Sequence, residues 1–316
     1  MKRPVLATAT ALVLATTTLS ACGSPGSSAA PPAQAGTGSA VAAGPLPSQP
    51  GSITLGSADF PESEILAYLY ADAFKAKGVQ VKVHANIGER PVYTAALSDG
   101  SIGGVVDYSG AMLDYLNHGN PAHTPQDVYT QLQKAASAHG FAVSAYAPAQ
   151  DVDTITVTRA TATKYHLTTI ADLQPVASKL ALGAPAPFQT VSYGTKALAA
   201  SYGVKFGRFV ALQPSGSITQ TALKNGTVDA ADIFSTDPSI SRDNFVTLTD
   251  PKSIFAAENV VPVFKNNALT QPMADAANAV SAQLTTDQLQ SLDTAVAGGK
   301  DPATVAAAWV AAHGLG

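Results

Sequence analysis

The sequence predicts an α/β fold with mostly parallel strand pairing. Short apolar runs alternate with segments whose apolar residues recur at helical spacing, from residue 52 to about 234. One helix–turn–strand pattern occurs twice. The chain is 46% AVILMFWYC and 13% charged, with a formal net charge of -4. The apolar share is swollen by alanine but still supports a sizeable core. Alternating strands and short helices favour a sheet with helices on its faces.

Residues 52–57 (SITLGS) read as the first strand. In 62–77 the apolar residues Ile65, Leu66, Leu69 and Phe74 share one helical face, and Gly78 ends the helix. Val79, Val81 and Val83 alternate along a strand at 79–87. A helix at 92–97 leads to a strand through Val105 and Val106. Further strands are expected at 154–158, 180–183, 209–212 and 230–234, with helices at 196–201 and 218–224. Thr285 and Gln288 form a capping box for a helix at 287–296. A last helix, 302–312, holds the single tryptophan, Trp309.

Residues 96–102 (ALSDGSI) resemble 222–228 (ALKNGTV), each a helix end, a Gly turn and a strand start. Eight residues after each glycine stands an aromatic followed by serine, Tyr108-Ser109 and Phe234-Ser235. If the strands match, both aromatics leave a strand at its carboxyl end, where open α/β sheets bind ligands. Two lobes of similar build would then form a cleft. The competing explanation is coincidence, since Ala-Leu-x-x-Gly is common and an aromatic at a strand end is ordinary core.

The first 51 residues have a different character. Lys2 and Arg3 precede an uncharged apolar run at 4–18, and Ser20 and Ala21 precede Cys22. This order predicts a signal peptide over 1–21. The run is too short and threonine-diluted for the ~20 residues of a spanning helix. Residues 19–22 (LSAC) resemble a bacterial lipobox, which implies that Cys22, the single cysteine, carries lipid. That implies export, with anchoring to the outer face of the cytoplasmic membrane. A lone cysteine makes no internal disulfide. Residues 23–51 are Gly-, Ser-, Ala- and Pro-rich with no charge and read as a tether with a reach of roughly 30 Å. Folding is expected from about Ser52.

From residue 52 to the end the chain resembles the glycine betaine, choline and osmoprotectant substrate-binding proteins of ABC importers. Residues 53–57 with Asp59-Phe60-Pro61-Glu62-Ser63 resemble the family's first strand and its following loop. Asn86-Ile87-Gly88 resembles Asn-Leu-Gly, and Asp107-Tyr108-Ser109-Gly110 resembles Glu-Tyr-Thr-Gly. Asp153-Thr154 resembles part of Asp-Asn-Thr, and Phe234-Ser235-Thr236-Asp237 resembles Tyr-Ser-Thr-Asp. The resemblance implies a two-lobed, type II periplasmic-binding-protein-like fold with the ligand cleft between lobes. Crossings are expected near 149–153 and 235–244. Lobe one would be 52–150 plus 246–316, and lobe two 151–245. The resemblance further implies a non-enzymatic, monomeric binding protein that serves an ABC permease and ATPase without a cofactor.

A quaternary ammonium is held by aromatic faces, each worth ~0.5–2 kcal/mol, and by nearby carboxylates. Tyr108 and Phe234 are the candidate cage walls, with Phe60, Phe188 and Tyr146 as further aromatics. Asp59, Asp107, Asp153 and Asp237 can supply negative charge, and Ser63, Thr154, Gln189, Ser235 and Thr236 can orient polar ends. Arg90 can face an anionic group. Phe60 and Phe188 fit a core equally well, Tyr146 a strand end, and Arg90 a solvated surface. Asp59 and Glu62 suit the start of a helix without any ligand. The chain departs from the family at Phe234 and Ile155, where tyrosines are usual, and at Gly103 and Gly104. These departures leave open a less cationic or more apolar ligand.

An exported hydrolase is the minor alternative and finds less support. Six histidines show no HExxH spacing, and neither a G-x-S-x-G elbow, an S-x-x-K motif nor a P-loop occurs. His118 and His123 in HGNPAH can bind a metal, but a hydrated loop explains them as well. No basic patch suggests nucleic acid. A sensor with the same fold remains compatible with every motif.

Overall fold

The computed structural model describes residues 45–191, 193–212 and 216–316. The expected signal segment and the expected lipidation site at Cys22 lie outside the described residues. Two five-stranded mixed sheets, each with its own helices, form two lobes.

The first sheet is built from β1 (Ser52–Gly56), β2 (Gln80–His84), β3 (Gly104–Tyr108) and β4 (Phe141–Val143), joined by α1 (Pro61–Ala76), α2 (Arg90–Asp99), α3 (Ser109–Leu116) and α4 (Pro125–Ala138). Pro61 opens α1 where its missing N–H costs nothing, and Glu62 and Glu64 suit the positive helix start. Ile65, Leu66, Leu69 and Phe74 are fully buried. Each such side chain contributes roughly 1.5–3 kcal/mol.

The chain then builds the second sheet. Its strands are β5 (Asp153–Thr158), β6 (Ala181–Ala184), β7 (Arg208–Ala211), β8 (Ala230–Phe234) and β9 (Phe245–Thr247). Its helices are α5 (Arg159–Tyr165), α6 (Thr195–Tyr202), α7 (Gly216–Lys224) and the short α8 (Ser239–Arg242). The chain returns to the first sheet as β10 (Val260–Lys265) and ends in α9 (Gln271–Ser281), α10 (Thr286–Ala297) and α11 (Pro302–Ala312). All three pack with α1 in the first lobe.

The strand orders are β2-β1-β3-β10-β4 and β7-β6-β8-β5-β9. In each, the first two pairings are parallel and the last two antiparallel. Pairing is therefore evenly mixed rather than mostly parallel. The physical reason is the crossing, because β5 and β10 arrive from the opposite lobe and enter their sheets from the other end. The return passage also comes later than expected. β9 still pairs with β5, so the crossing lies between Thr247 and Val260, not at 235–244. Order likewise begins before Ser52. Leu46 packs on the first core, and the Pro47 and Pro50 carbonyls accept from Gln271 N and Thr270 Oγ1.

The repeated sequence pattern occupies equivalent places. β3 and β8 are both central, each between a parallel and an antiparallel neighbour. Gly100 and Gly226 take left-handed conformations, φ +89° and +78°, which glycine adopts without strain. Ile102 N donates to Ala96 O, and Val228 N to Ala222 O. The Asp99 and Asn225 side chains each accept from the backbone N–H and hydroxyl two residues on. The echo is thus one structural unit used twice.

Candidate functional site

Tyr108 and Phe234 end β3 and β8, and the serine after each holds a crossing segment. Ser109 Oγ donates to Ala257 O and accepts from Asn259 N on the return passage. Ser235 Oγ donates to Gln150 O and accepts from Val152 N on the outward one. Both strand ends are thereby clamped to the segments that join the lobes.

A cavity of about 660 Å³ lies between the lobes on the α1 side of these strand ends. This is within the size range of small-molecule sites. Lobe one contributes Phe60 and Glu62 from the start of α1, and Asp293 with Val296 and Ala297 from α10. Lobe two contributes Phe234, Thr236, Asp237 and Pro238, and Asp151 comes from the outward crossing. Phe60 is 39% exposed and stacks on Tyr108, with ring centroids 6.3 Å apart.

Three carboxyl groups meet here. The Tyr108 hydroxyl donates to Glu62 Oε1, and Thr236 Oγ1 donates to Asp151 Oδ1 at 2.7 Å. Asp293 faces Glu62, and its Oδ1 is buried without a hydrogen-bond partner among the described residues. Burial, then the nearby Asp293, pushes the Glu62 carboxyl well above its ordinary range. Burial, then Glu62, pushes Asp151 up to about 7. Burial raises Asp293 to about 7 as well, opposed by a side-chain hydrogen bond with Glu62 and reinforced by Asp151 and Asp237. No ion pair among the described residues involves Glu62, Asp151 or Asp293. The group is short of positive charge, and a cation in the cavity would supply it.

Among the expected site residues, Phe60, Phe234, Thr236 and Asp237 line this cavity, and Tyr108 reaches it through Glu62. Asp237 also accepts from Gln220 Nε2 at 3.0 and 2.9 Å and from Ser239 N at 2.8 Å. Asp153, Thr154 and Ser235 line a different cavity of about 560 Å³, together with Gln150, His123 and Phe255. Asp153 pairs with Asp232 on β8, whose carboxyl is pushed up to about 9 by burial and then by Asp153. Phe188 is buried and packs on Phe255 and Tyr193, while Gln189 and Asp59 are exposed. Tyr146 packs edge-on to Tyr129 inside the first core. Ile155 is fully buried in the second. Arg90 and Asp107 bond to each other at 2.9 and 3.1 Å. The described residues contain no group of three or more His, Cys, Asp or Glu placed to hold a metal ion.

Glu62, Asp151 and Asp293 were not among the expected site residues. Asp293 did carry a signal, because it falls in the apolar stripe of α10 beside Leu289, Leu292 and Val296. An acid in that stripe needs a reason. Glu62 looked like a first-turn acid, and Asp151 like part of a connecting loop.

Residues 51–312 match the family of substrate-binding domains of ABC-type glycine betaine transport systems. The chain belongs to that family. The glycine betaine-binding protein YehZ of Escherichia coli K12 is 28% identical over 289 residues, covering 87% of this chain and 95% of that protein. The carnitine transport binding protein OpuCC of Listeria monocytogenes is 24% identical over 270 residues, covering 81% and 84%. The fold resembles the crystal structure of a glycine betaine/carnitine/choline ABC transporter, with a TM-score of 0.77 at 23% identity over 83% of this chain and 99% of that one. Apo YehZ from Escherichia coli superposes with a TM-score of 0.74 at 26% identity, covering 84% and 99%. Like its relatives, the chain is a substrate-binding protein of an ABC osmoprotectant importer, with a type II periplasmic-binding fold. No described helix is long and apolar enough to cross a membrane.

Proposed function

We propose that the protein captures a small organic cation between its lobes, with glycine betaine and choline as the first candidates, and delivers it to an ABC permease and ATPase. The observation that carries this reading is the cavity itself. Phe60 and Phe234, one from each lobe, line it together with the carboxyl groups of Glu62, Asp151 and Asp293, which take part in no ion pair among the described residues. Aromatic faces attract a desolvated cation, and the carboxylates add Coulomb attraction. Glu62 of lobe one already hydrogen-bonds Thr236 of lobe two across the cavity, so entry of a ligand would need the lobes to part by motion in the two crossing segments. Lobe one then comprises 52–150 with the residues after the return passage, and lobe two the residues between.

The anchor belongs to the same proposal. Cys22 carries lipid after removal of 1–21, and the tether holds a monomeric binding protein at the outer face of the cytoplasmic membrane. A thermal-shift panel on the full chain tests the ligand class, with glycine betaine, choline, carnitine, ectoine, amino acids and sugars. A ligand at 100 times its Kd stabilises by ~2.7 kcal/mol. A rise in Tm with cationic members alone is expected. A rise only with sugars or uncharged compounds would refute the cation reading.

A further inference from the structure

The carboxyl groups of the cavity are joined by a proton. Glu62 on α1 and Asp293 on α10 share a side-chain hydrogen bond. Two ionised carboxylates are acceptors only and cannot bond to each other, so one of this pair carries a hydrogen. The groups packed around the pair offer no positive charge in its place. Tyr108 at the end of β3 donates to Glu62, and Thr236 on the strand-end loop bonds to Glu62 and to Asp151. Asp151 comes from the outward crossing with Asp153 nearby, and Asp237 comes from the strand-end loop. These neighbours are acids and hydroxyl groups. No lysine, arginine or histidine forms an ion pair with Glu62, Asp151 or Asp293 among the described residues. Carboxyl groups this close cannot all ionise in a buried site without a compensating positive charge. Without a ligand, the shared proton provides it.

We propose that the ligand cation and a proton compete for the Glu62–Asp293 pair, so that capture of a quaternary ammonium expels a proton. The inference rests on the organic-cation reading and adds a second ion to it. The exchange balances: one positive charge enters, one carboxyl O–H bond breaks, and the proton passes to solvent and buffer. The pair then holds its full negative charge in a cavity that Phe60 and Phe234 also line. Negative charge and aromatic faces suit an ammonium that has no N–H to donate. Glu62 and Thr236 stand on different lobes, so the exchange acts at the contact that joins them. Capture is thereby tied to acidity. Affinity rises with pH while the pair still holds its proton, by up to about tenfold per pH unit for each proton displaced.

Calorimetric titration of the full chain counts the protons, with choline and glycine betaine as probes, just below neutral pH, in buffers of different ionisation enthalpy. Neither probe titrates there, so every proton released comes from the protein. The heat should vary with buffer as expected for release of about half a proton or more per cation bound. In Glu62→Gln the amide N–H donates to Asp293 in place of the shared proton, so release should fall by about half or more. Asp293→Asn makes the same replacement from the other side and serves where Glu62→Gln does not fold or bind. Infrared difference spectra should show a protonated-carboxyl band lost on binding in the parent and a weaker loss in either variant. Binding of a probe with no proton released would overturn the exchange and leave the organic-cation reading standing. If neither probe binds, both fall. Undiminished release in a variant whose Tm stays near that of the parent would overturn the assignment to this pair.

Discussion

Asp107 and Tyr108 are neighbours on β3 and point to opposite faces of one sheet. Asp107 is 2% exposed and fully engaged. It accepts from Arg90 twice, from the Tyr93 hydroxyl at 2.7 Å and from Tyr108 N at 2.7 Å. On the other face Tyr108 meets Glu62, which stands with Asp151 and Asp293 and has no cationic partner among the described residues. One face closes its buried charge internally, while the other leaves it open toward a cavity between lobes. A satisfied buried charge is part of the architecture. Buried acids that share protons instead of a cation, held in place by a rigid strand and a helix start, are poised for a cation that arrives from outside.

The largest effect should fall on the closed face. Arg90→Met strands the Asp107 carboxylate and should cost ~3–5 kcal/mol in urea unfolding, the penalty of breaking a buried pair. A cost under ~1 kcal/mol would erase the contrast. Glu62→Gln should behave in the opposite way. Stability at neutral pH should hold or rise, while affinity for a cationic ligand falls roughly tenfold or more.

The same variant tests the pH dependence. Asp151 and Asp293 titrate near 7 in the fold, against an ordinary carboxyl value near 4 in the unfolded chain. Between those values the fold holds protons that the unfolded chain has released. Stability of the free protein should therefore fall as pH rises from about 4 through 7. Cation affinity should rise around pH 7, where the protonated carboxyls yield to charged ones. Tm and titration across this range should show both slopes, and Glu62→Gln should lessen them, while Glu258 and Asp232, whose carboxyls burial pushes up to about 8 and about 9, keep part of the stability slope. A free protein whose stability climbs between pH 5 and 7 would contradict this arrangement.

Smaller effects follow at the cavity wall. Phe234→Ala should cost ~0.5–2 kcal/mol of cation binding, and Phe234→Tyr should restore it, since the π-face is what matters. An unchanged Kd in the alanine variant would remove Phe234 from the site. Asp59→Asn, at an exposed position beside the cavity wall, should change neither Tm-derived stability nor affinity by more than ~0.5 kcal/mol.

The elements legible in advance are those defined by local pattern. α1 is readable from Pro61, the apolar spacing and Gly78, and the α2–β3 and α7–β8 units from a seven-residue echo. β10 escaped notice because Pro262 interrupts an apolar run, which argues against a central strand. The strand nevertheless sits between β3 and β4, and the Pro262 carbonyl accepts from Ser144 N at 3.1 Å. α4 had a readable cap, since Thr124 accepts from Asp127 N and donates back to its side chain.

By itself the sequence determined the α/β elements, the doubled turn unit and the aromatics at two strand ends, because each is a property of residues a few positions apart. Only the tertiary structure decided which charges are closed and which are open. Glu62, Asp151, Thr236 and Asp293 come from a helix start, a crossing, a strand-end loop and a late helix. No local pattern links four such places. Their meeting depends on how two mixed sheets are joined by two crossings, and burial at that meeting gives ordinary acids their unusual protonation.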